Sequence, residues 1–344
     1  MDKYVTIGDK RIGYDNYVYI IAEIGSNHNQ DINKALKMIE LAADAGADAV
    51  KFQSLSYNDL YAKDTESKDF ETFFGNIELN ESWYTKLLEH AQKNNVDFLS
   101  APTYDRSLDI LINLKVKALK IASPQVAENR GLLTKAAASG LPLLLSLGYC
   151  TYADIENVIN ICKQQKNENF ILLHCVSQYP ADPFKVNLSF MKTLKQMTHK
   201  PVGFSDHTFG SHIPIASVAM GARVVEKHIT LDTKSAGPDH HFSMEIQDFK
   251  KMVLDIRQVS LALGDGIKLP LDKDEEKLRE SFVMKAVANI NILANTNLSP
   301  LNLIFLRTSK NGVSQKELGE ISKFKSKKFI AEGSVVSWSD IQLC

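Results

Sequence analysis

Apolar residues along the chain gather into short continuous runs, each closed by polar or charged groups. The first is 19–25 (YIIAEIG), followed by SNHNQ. Runs of this length without polar alternation mark strands covered on both faces, as in a parallel sheet. Further runs lie at 49–53 (AVKFQ), 98–102 (FLSAP), 118–123 (ALKIAS), 143–148 (LLLSLG), 171–176 (ILLHCV), 202–206 (VGFSD) and 223–229 (RVVEKHI). Between them, apolar residues recur at helical spacing over 31–46, 81–94, 107–114, 129–139, 152–165, 189–197, 211–221 and 246–263. Eight strand–helix units over about 245 residues predict a (β/α)8 barrel, the α/β architecture of the TIM type. A doubly wound open sheet is the competing fold. It is disfavoured because no glycine-rich dinucleotide loop follows the first run. Residues 1–17 read as a leading hairpin or arm. Residues 54–80, polar and rich in Asp, Glu and Phe, read as an active-site loop.

The texture changes after the barrel, which is assigned residues 1–265. Residues 266–280 are charged and read as a linker. Residues 281–344 carry short β-type runs (VMKAVANINI, LIFLRTS, KKFIAEGSVVSWSDI) separated by Asn, Gly and Ser turns. This predicts a small β-rich domain with little core of its own, which needs something else to lean on.

Composition narrows the function classes. A net charge of −1 over 344 residues gives no global field for nucleic acid or an anionic membrane, so an anionic substrate must be held locally. No apolar run approaches the roughly 20 residues that span a bilayer, and the first residues lack the apolar core of a signal peptide. Cys150, Cys162, Cys175 and Cys344 show no CxxC spacing. They read as reduced thiols of a cytoplasmic protein, with no cysteine metal site.

The candidate chemistry sits where apolar runs meet charge. Strand 202–206 runs into His207, and strand 223–229 carries Glu226, Lys227 and His228. The two histidines stand about 20 residues apart, one crossover unit. Two imidazoles at matching strand ends of a barrel can hold a divalent metal at its mouth. Each histidine could instead merely cap its strand. Lys51 and Lys120 lie inside apolar runs, where burial demands a partner. With Ser123, Ser146 and Ser205 near further strand ends, they read as a cradle for phosphate and carboxylate. A lysine–glutamate pair across the barrel floor is the structural alternative, and a Schiff-base lysine is the rival chemistry. Glu23, Asp206, Glu226 and Asp239 are the candidate acid/base groups. His240 and His241 read as loop residues without ligand roles.

At these residues the chain resembles the sialic acid synthase family. The resemblance rests on IAEIGSNHN at 21–29, GADAVKFQ at 46–53, LKIAS at 119–123, LLHCVSQYP at 172–180, GFSDHT at 203–208 and VEKHIT…GPDH at 225–240. LRTSKNG at 306–312 and AEGSVVSWSDI at 331–341 resemble the antifreeze-like (SAF) domain that follows the barrel in that family. The resemblance implies condensation of phosphoenolpyruvate with an N-acylated hexosamine, with release of phosphate by C–O cleavage. N-acetylmannosamine, giving N-acetylneuraminate, is the first reading. It implies His207 and His228 as ligands of a divalent metal, Mn2+ first and Mg2+ or Co2+ as alternatives. Lys51, Lys120, Ser123, Ser146 and Ser205 match positions that hold phosphoenolpyruvate, and Glu23 matches a catalytic acid. Lys51, Lys120 and Asp206 are counted with Glu23 as catalytic. Asn27, Gln125, Tyr179 and Asp239 are expected to face the substrates. Arg307 resembles an arginine that reaches a partner subunit's barrel, which implies a homodimer with exchanged SAF domains.

Three departures stand out. The family reads NHxG where this chain has Asn27-His28-Asn29-Gln30, and STG where it has Ser146-Leu147-Gly148. A family glutamate two residues after Ser123 is Gln125 here, which keeps hydrogen-bonding shape but loses charge and basicity. Altered sugar contacts are the expected consequence. Legionaminic or pseudaminic acid synthesis from a 2,4-diacetamido-2,4,6-trideoxyhexose is therefore the main alternative. A synthase using a sugar phosphate, a non-catalytic sugar-binding relative and an antifreeze protein are the remaining ones.

Overall fold

The computed structural model describes residues 4–13, 15, 17–62 and 67–344. Parts of the expected leading arm (1–3, 14 and 16) and of the expected active-site loop (63–66) lie outside the described residues. The chain divides into two compact units, Met1–Gly266 and Ile267–Cys344.

In the first unit, eight parallel strands form a barrel: β3 (Tyr19–Gly25), β4 (Ala49–Ser54), β5 (Asp97–Pro102), β6 (Leu119–Ile121), β7 (Leu143–Ser146), β8 (Phe170–Cys175), β9 (Val202–Asp206) and β10 (Ala222–Thr230). They run in chain order around the sheet, and β10 pairs with β3 in the register Val224↔Tyr19 to His228↔Glu23, while the short β11 (Met244–Glu245) pairs with the end of β10. The ladder is interrupted only between β5 and β6, which lie side by side. Helices follow the strands as the helical spacing predicts. They are set by ordinary caps, such as Asp31 accepting from the Asn33 and Lys34 amides at the helix Ile32–Asp44.

Strand alternation sorts side chains into two layers. Tyr19, Ile21, Ala49, Leu99, Leu144, Leu173 and Val224 point inward and fill the lower barrel. A leading hairpin, β1 (Val5–Ile7) against β2 (Lys10–Ile12), adds Val5, Ile7 and Ile12 to the same cluster. It therefore plugs the N-terminal end, where the strands begin. The Asn169 side chain fixes it, accepting from the Thr6 amide at 3.0 Å and donating to the Thr6 carbonyl at 3.1 Å. The larger outer cluster, with Ile20, Ala22, Val50, Phe52, Phe98 and Phe204, packs against the helices.

Asp206 belongs to that outer layer. It follows Phe204 in parity and pairs in register with Lys227, not with Glu226. Its carboxylate lies 2.6 Å from Lys227 Nζ and accepts from the Thr208 amide (3.0 Å) and hydroxyl (2.9 Å). Lys227 also donates to the Thr208 carbonyl. The expected catalytic role of Asp206 is corrected on this geometry: its charge is spent on a buried structural pair, on the opposite face of β9 from Ser205.

The described residues of 54–80 are more ordered than a loop. They hold the helices Tyr57–Leu60 and Lys68–Gly75, joined by a cluster in which the Tyr61 ring lies 5.2 Å from Phe70 and 5.4 Å from Phe74. β6 ends earlier than expected because Pro124, at the first turn of the helix Ser123–Glu128, favours helix entry over strand continuation.

The second unit is β-rich. β12 (Met284–Ala288) pairs antiparallel with β13 (Leu303–Arg307), and β14 (Phe324–Ser326) with β15 (Ile341–Leu343). Ala286, Ile292, Leu298, Val313, Val336 and Ile341 are among its core. Within the expected linker, Lys273–Ser281 is a helix capped by Asp272 and belongs to this unit.

The buried pair makes a testable claim. Lys227→Met leaves Asp206 ionised and uncompensated, so thermal or urea unfolding should show a loss of about 3–5 kcal/mol. The Asp206→Asn, Lys227→Met double variant should recover most of it. Additive losses would show that the pair does not act as a unit.

Candidate active site

The C-terminal ends of the strands carry a connected polar network inside the barrel, the usual position for chemistry in this fold. Glu23 on β3 is 0% exposed. Its Oε2 lies 2.9 Å from Lys51 Nζ on β4, and its Oε1 accepts from Gln53 Nε2 at 2.9 Å. Glu226 on β10 is the hub. Its Oε1 accepts from Ser205 Oγ at 2.9 Å and lies 3.6 Å from Lys51 and 3.7 Å from Lys120 on β6. Its Oε2 is buried and finds no hydrogen-bond partner among the described residues, and the same holds for Ser146 Oγ at the end of β7.

Burial and neighbours set the charge states. Burial raises the Glu23 carboxyl against the pull of Lys51, and nearby Glu226 raises it further, to about 7. Burial opposes the charge of Glu226 too, but Lys120 and Lys51 outweigh it and leave its pKa lowered. Lys51 is penalised by burial yet raised by its two carboxylates. Lys120 is lowered, by burial first and by Lys51 as well, against the pull of Glu226 and the smaller pulls of Cys175 and Glu23. Both weighed readings of the lysines therefore meet in one network. Lys51 is a glutamate-paired lysine, whereas Lys120 is the less compensated cation.

One layer above Glu226 lies His228, and beside it His207, just past β9. The two rings stand 5.4 Å apart. His207 Nδ1 donates to the Val176 carbonyl at 2.9 Å, since a carbonyl can only accept, and this leaves Nε2 with its lone pair. His228 Nδ1 has no hydrogen-bond partner, its nearest acid being Asp239 Oδ2 at 3.9 Å. Burial, with His207 and nearby lysines, holds the His228 pKa well below its ordinary value and so keeps the ring neutral. Burial pulls the His207 pKa down, but Cys175 and the Val176 carbonyl outweigh it and leave it raised, so a divalent metal would take the neutral His228 ring directly and displace a proton from His207. Among the described residues no group of three or more His, Cys, Asp or Glu completes the set, so water and substrate would supply the remaining positions.

The other expected residues divide. The Tyr179 ring lies tilted against His207, with ring centres 4.2 Å apart, and stays half-exposed at the mouth. Asp239 accepts from Ser26 Oγ at 3.2 Å, and burial raises its carboxyl. Gly25 permits that approach, because a Cβ there would sit 2.8 Å from Asp239 Oδ2. Ser123 Oγ accepts from the Gly148 amide at 2.9 Å, and a Cβ on Gly148 would lie 2.1 Å from Ser177 Oγ. That glycine thus brings two serines together. Asn27 is drawn into structure, donating to the Ile229 carbonyl at 2.8 Å and to Ser243 Oγ at 2.9 Å, while its own Oδ1 has no partner. Gln125 is half-buried on the helix Ser123–Glu128. Arg307 is exposed at the end of β13, over the Phe282 ring at 4.4 Å, in the C-terminal unit.

Sequence reasoning missed Gln53, Phe242 and Ser26. Gln53 has the same strand parity as Lys51, which was the available signal. Phe242, 5.0 Å from the His228 ring, adjoins the histidines set aside as loop residues.

Comparison with known proteins agrees with this geometry. The model of the NeuB family matches residues 38–268. The chain is 39% identical over 332 residues to the N,N'-diacetyllegionaminic acid synthase of Campylobacter jejuni, covering 91% of this chain and 98% of that protein. It is 34% identical over 344 residues to a pseudaminic acid synthase from the same species, covering 95% and 98%. The crystal structure of N-acetylneuraminic acid (sialic acid) synthetase from Leptospira borgpetersenii, in complex with citrate, is similar at TM-score 0.75 and 38% identity. It covers 81% of this chain and 96% of that one. With the family model matching residues 38–268 and relatives of more than 30% identity covering nine tenths or more of its length, the chain belongs to the NeuB family of synthases.

Proposed function

We propose that the chain joins phosphoenolpyruvate to the open aldehyde of a 2,4-diacetamido-2,4,6-trideoxyhexose, giving a legionaminic-type acid and free phosphate. The observation that carries the reaction class is the interior network: an under-compensated Lys120 and an unpartnered Ser146 hydroxyl beside the Lys51–Glu226 pair. Such a set receives one compact dianion with a carboxylate. Two observations favour the diacetamido sugar. Gln125 is neutral, and the Campylobacter legionaminic acid synthase is 39% identical. N-acetylmannosamine is the second reading, supported by the likeness to the sialic acid synthetase structure.

In the reaction, C3 of phosphoenolpyruvate bonds to the aldehyde carbon, water adds at C2, and the C2–O bond to phosphate breaks. Lys51 and Lys120 balance the phosphate and carboxylate charge. Ser146 orients the anion through its unpartnered hydroxyl, while Ser205 holds Glu226 in place. His207 and His228 would hold a divalent ion, which when bound supplies Lewis acidity toward the aldehyde oxygen. Glu23 takes the proton of the attacking water, since it is buried beside the anion cradle and its raised pKa suits proton exchange at neutral pH.

Phosphate release with Mn2+ should be fastest with the diacetamido sugar, be lost with EDTA, and fall in His228→Ala. That variant should also bind Mn2+ at least about tenfold more weakly by titration calorimetry. Faster release with N-acetylmannosamine moves the chain to the sialic acid branch, and no release with any sugar from folded protein sinks the synthase reading. Because ionised Glu23 is the active form, kcat should rise with pH through about 7. Glu23→Gln should lower kcat by about 10²–10⁴ and abolish that limb. An unchanged pH profile would remove Glu23 from the proton step.

A further inference from the structure

Beside the mouth lies a cavity of about 570 Å3, walled by Ser26, Gln30, Phe73, Ile77, Gly237 and Pro238 among others. Its described lining holds no Asp, Glu, Lys, Arg or His, in contrast with the charged network below. Ser26 joins the two regions, since its hydroxyl donates to Asp239 while its residue lines the cavity.

The backbone between the walls is unusual. Asn29 and Gln30 are successive non-glycine residues in the left-handed region, at φ 50° and 57°. A left-handed glutamine is strained, so the surrounding contacts must hold it there. Each side chain ties down one wall. Asn29 Nδ2 donates to the Ala236 carbonyl at 3.1 Å, and its Oδ1 accepts from His240 Nε2 at 2.8 Å. Gln30 Nε2 donates to the Gly75 carbonyl at 3.3 Å and to the Glu78 carbonyl. Gly237 admits this arrangement, because a Cβ there would meet His240 Cδ2 at 2.7 Å. The opposite wall carries Phe73 and Ile77 on and just after the helix Lys68–Gly75.

We infer that Asn29 and Gln30 form a two-armed clasp that sets the width of this cavity, and that the cavity takes the uncharged, acylated and deoxygenated end of the sugar. This rests on the synthase reading above. The neutral polar and apolar lining suits an acetamido group and a methyl, and it leaves a phosphoryl group without a cation to meet it. Gln30 is a positioning residue: it acts through the 75–78 segment and not on the reacting atoms. The inference also gives position 30 a purpose, since glycine would adopt the same backbone without strain but could not hold the wall.

The test is Gln30→Gly, which keeps the backbone accessible and removes one arm. Hydrogen exchange at the 75–78 amides should accelerate in the variant. KM for the diacetamido sugar should rise about three- to tenfold, the scale of a lost neutral hydrogen bond, with KM for phosphoenolpyruvate and the melting temperature nearly unchanged. In the wild type, the neutral sugar should slow exchange at 75–78, and a hexosamine 6-phosphate should not. Unchanged exchange in Gln30→Gly overturns the clasp. A parallel rise in both KM values, or equal protection by the sugar phosphate, overturns the sugar-end assignment. Wild-type protein that turns over no sugar overturns the synthase reading instead, and the exchange comparison still decides the clasp by itself.

Discussion

The site depends on one buried carboxylate. Glu226 stands between Lys51 and Lys120 at 3.6 and 3.7 Å and also holds Ser205. A lone ammonium or carboxylate in a barrel interior is untenable, because desolvation costs several kcal/mol per ion. Two lysines and two glutamates, Glu23 and Glu226, are tolerable because they neutralise one another. The compensation is uneven, however. Lys51 touches both acids, whereas Lys120 shares Glu226 with Lys51 and is repelled by Lys51. An entering anion near Lys120 therefore completes the network where an apolar ligand would leave it short. Burial leaves Glu23 raised, because its one cation, Lys51, is divided with Glu226, which raises it further.

Register makes the network possible. Glu226 and His228 share a face of β10 because they are two residues apart, and Ser205 and His207 share the matching face of β9. The β3 pairing brings Glu23 opposite His228. A slip of one residue on β10 would turn Lys227 inward and send both Glu226 and His228 to the helices. What opposes such a slip is the layer below, where Val224, Leu173 and Tyr19 fill the barrel against the leading hairpin. Outside, the Asp206–Lys227 pair adds its own penalty, since its partners would separate.

Much of this was legible in the sequence. Continuous apolar runs with helical spacing between them gave the barrel, and charges inside those runs gave Glu23, Lys51, Lys120, Glu226 and His228. Asp206 was misplaced because it adjoins Ser205 and His207. Strand parity separates it from both, and Lys227, equally buried in the next strand, was the partner to look for. The helices within 54–80 were hidden by polar composition, since their packing comes from Tyr57, Tyr61, Phe70 and Phe74 meeting one another rather than a periodic face on the barrel. The helix Lys273–Ser281 was hidden likewise: it buries no residue, and its signal is the Asp272 cap with acids in the first turn. The ties made by Asn29 and Gln30 depend on left-handed backbone and on carbonyls about 45 to 210 residues away, which no local pattern encodes.

The arrangement is layered along the barrel axis. Apolar side chains close the bottom, the paired lysines and glutamates come next, the imidazoles lie above them, and an uncharged cavity opens beside the mouth. The lysine, glutamate and imidazole layers are all buried, so electrostatic attraction inside the barrel is strong. In the proposed reaction this layering sorts the two substrates by charge. The small anion is drawn to Lys120 and Ser146, beneath the imidazoles, and the uncharged end of the sugar is left to the cavity beside the mouth. That sorting places C3 of phosphoenolpyruvate below the aldehyde it attacks. The uneven compensation that draws an anion down to Lys120 is thus the same feature that leaves the mouth to the sugar.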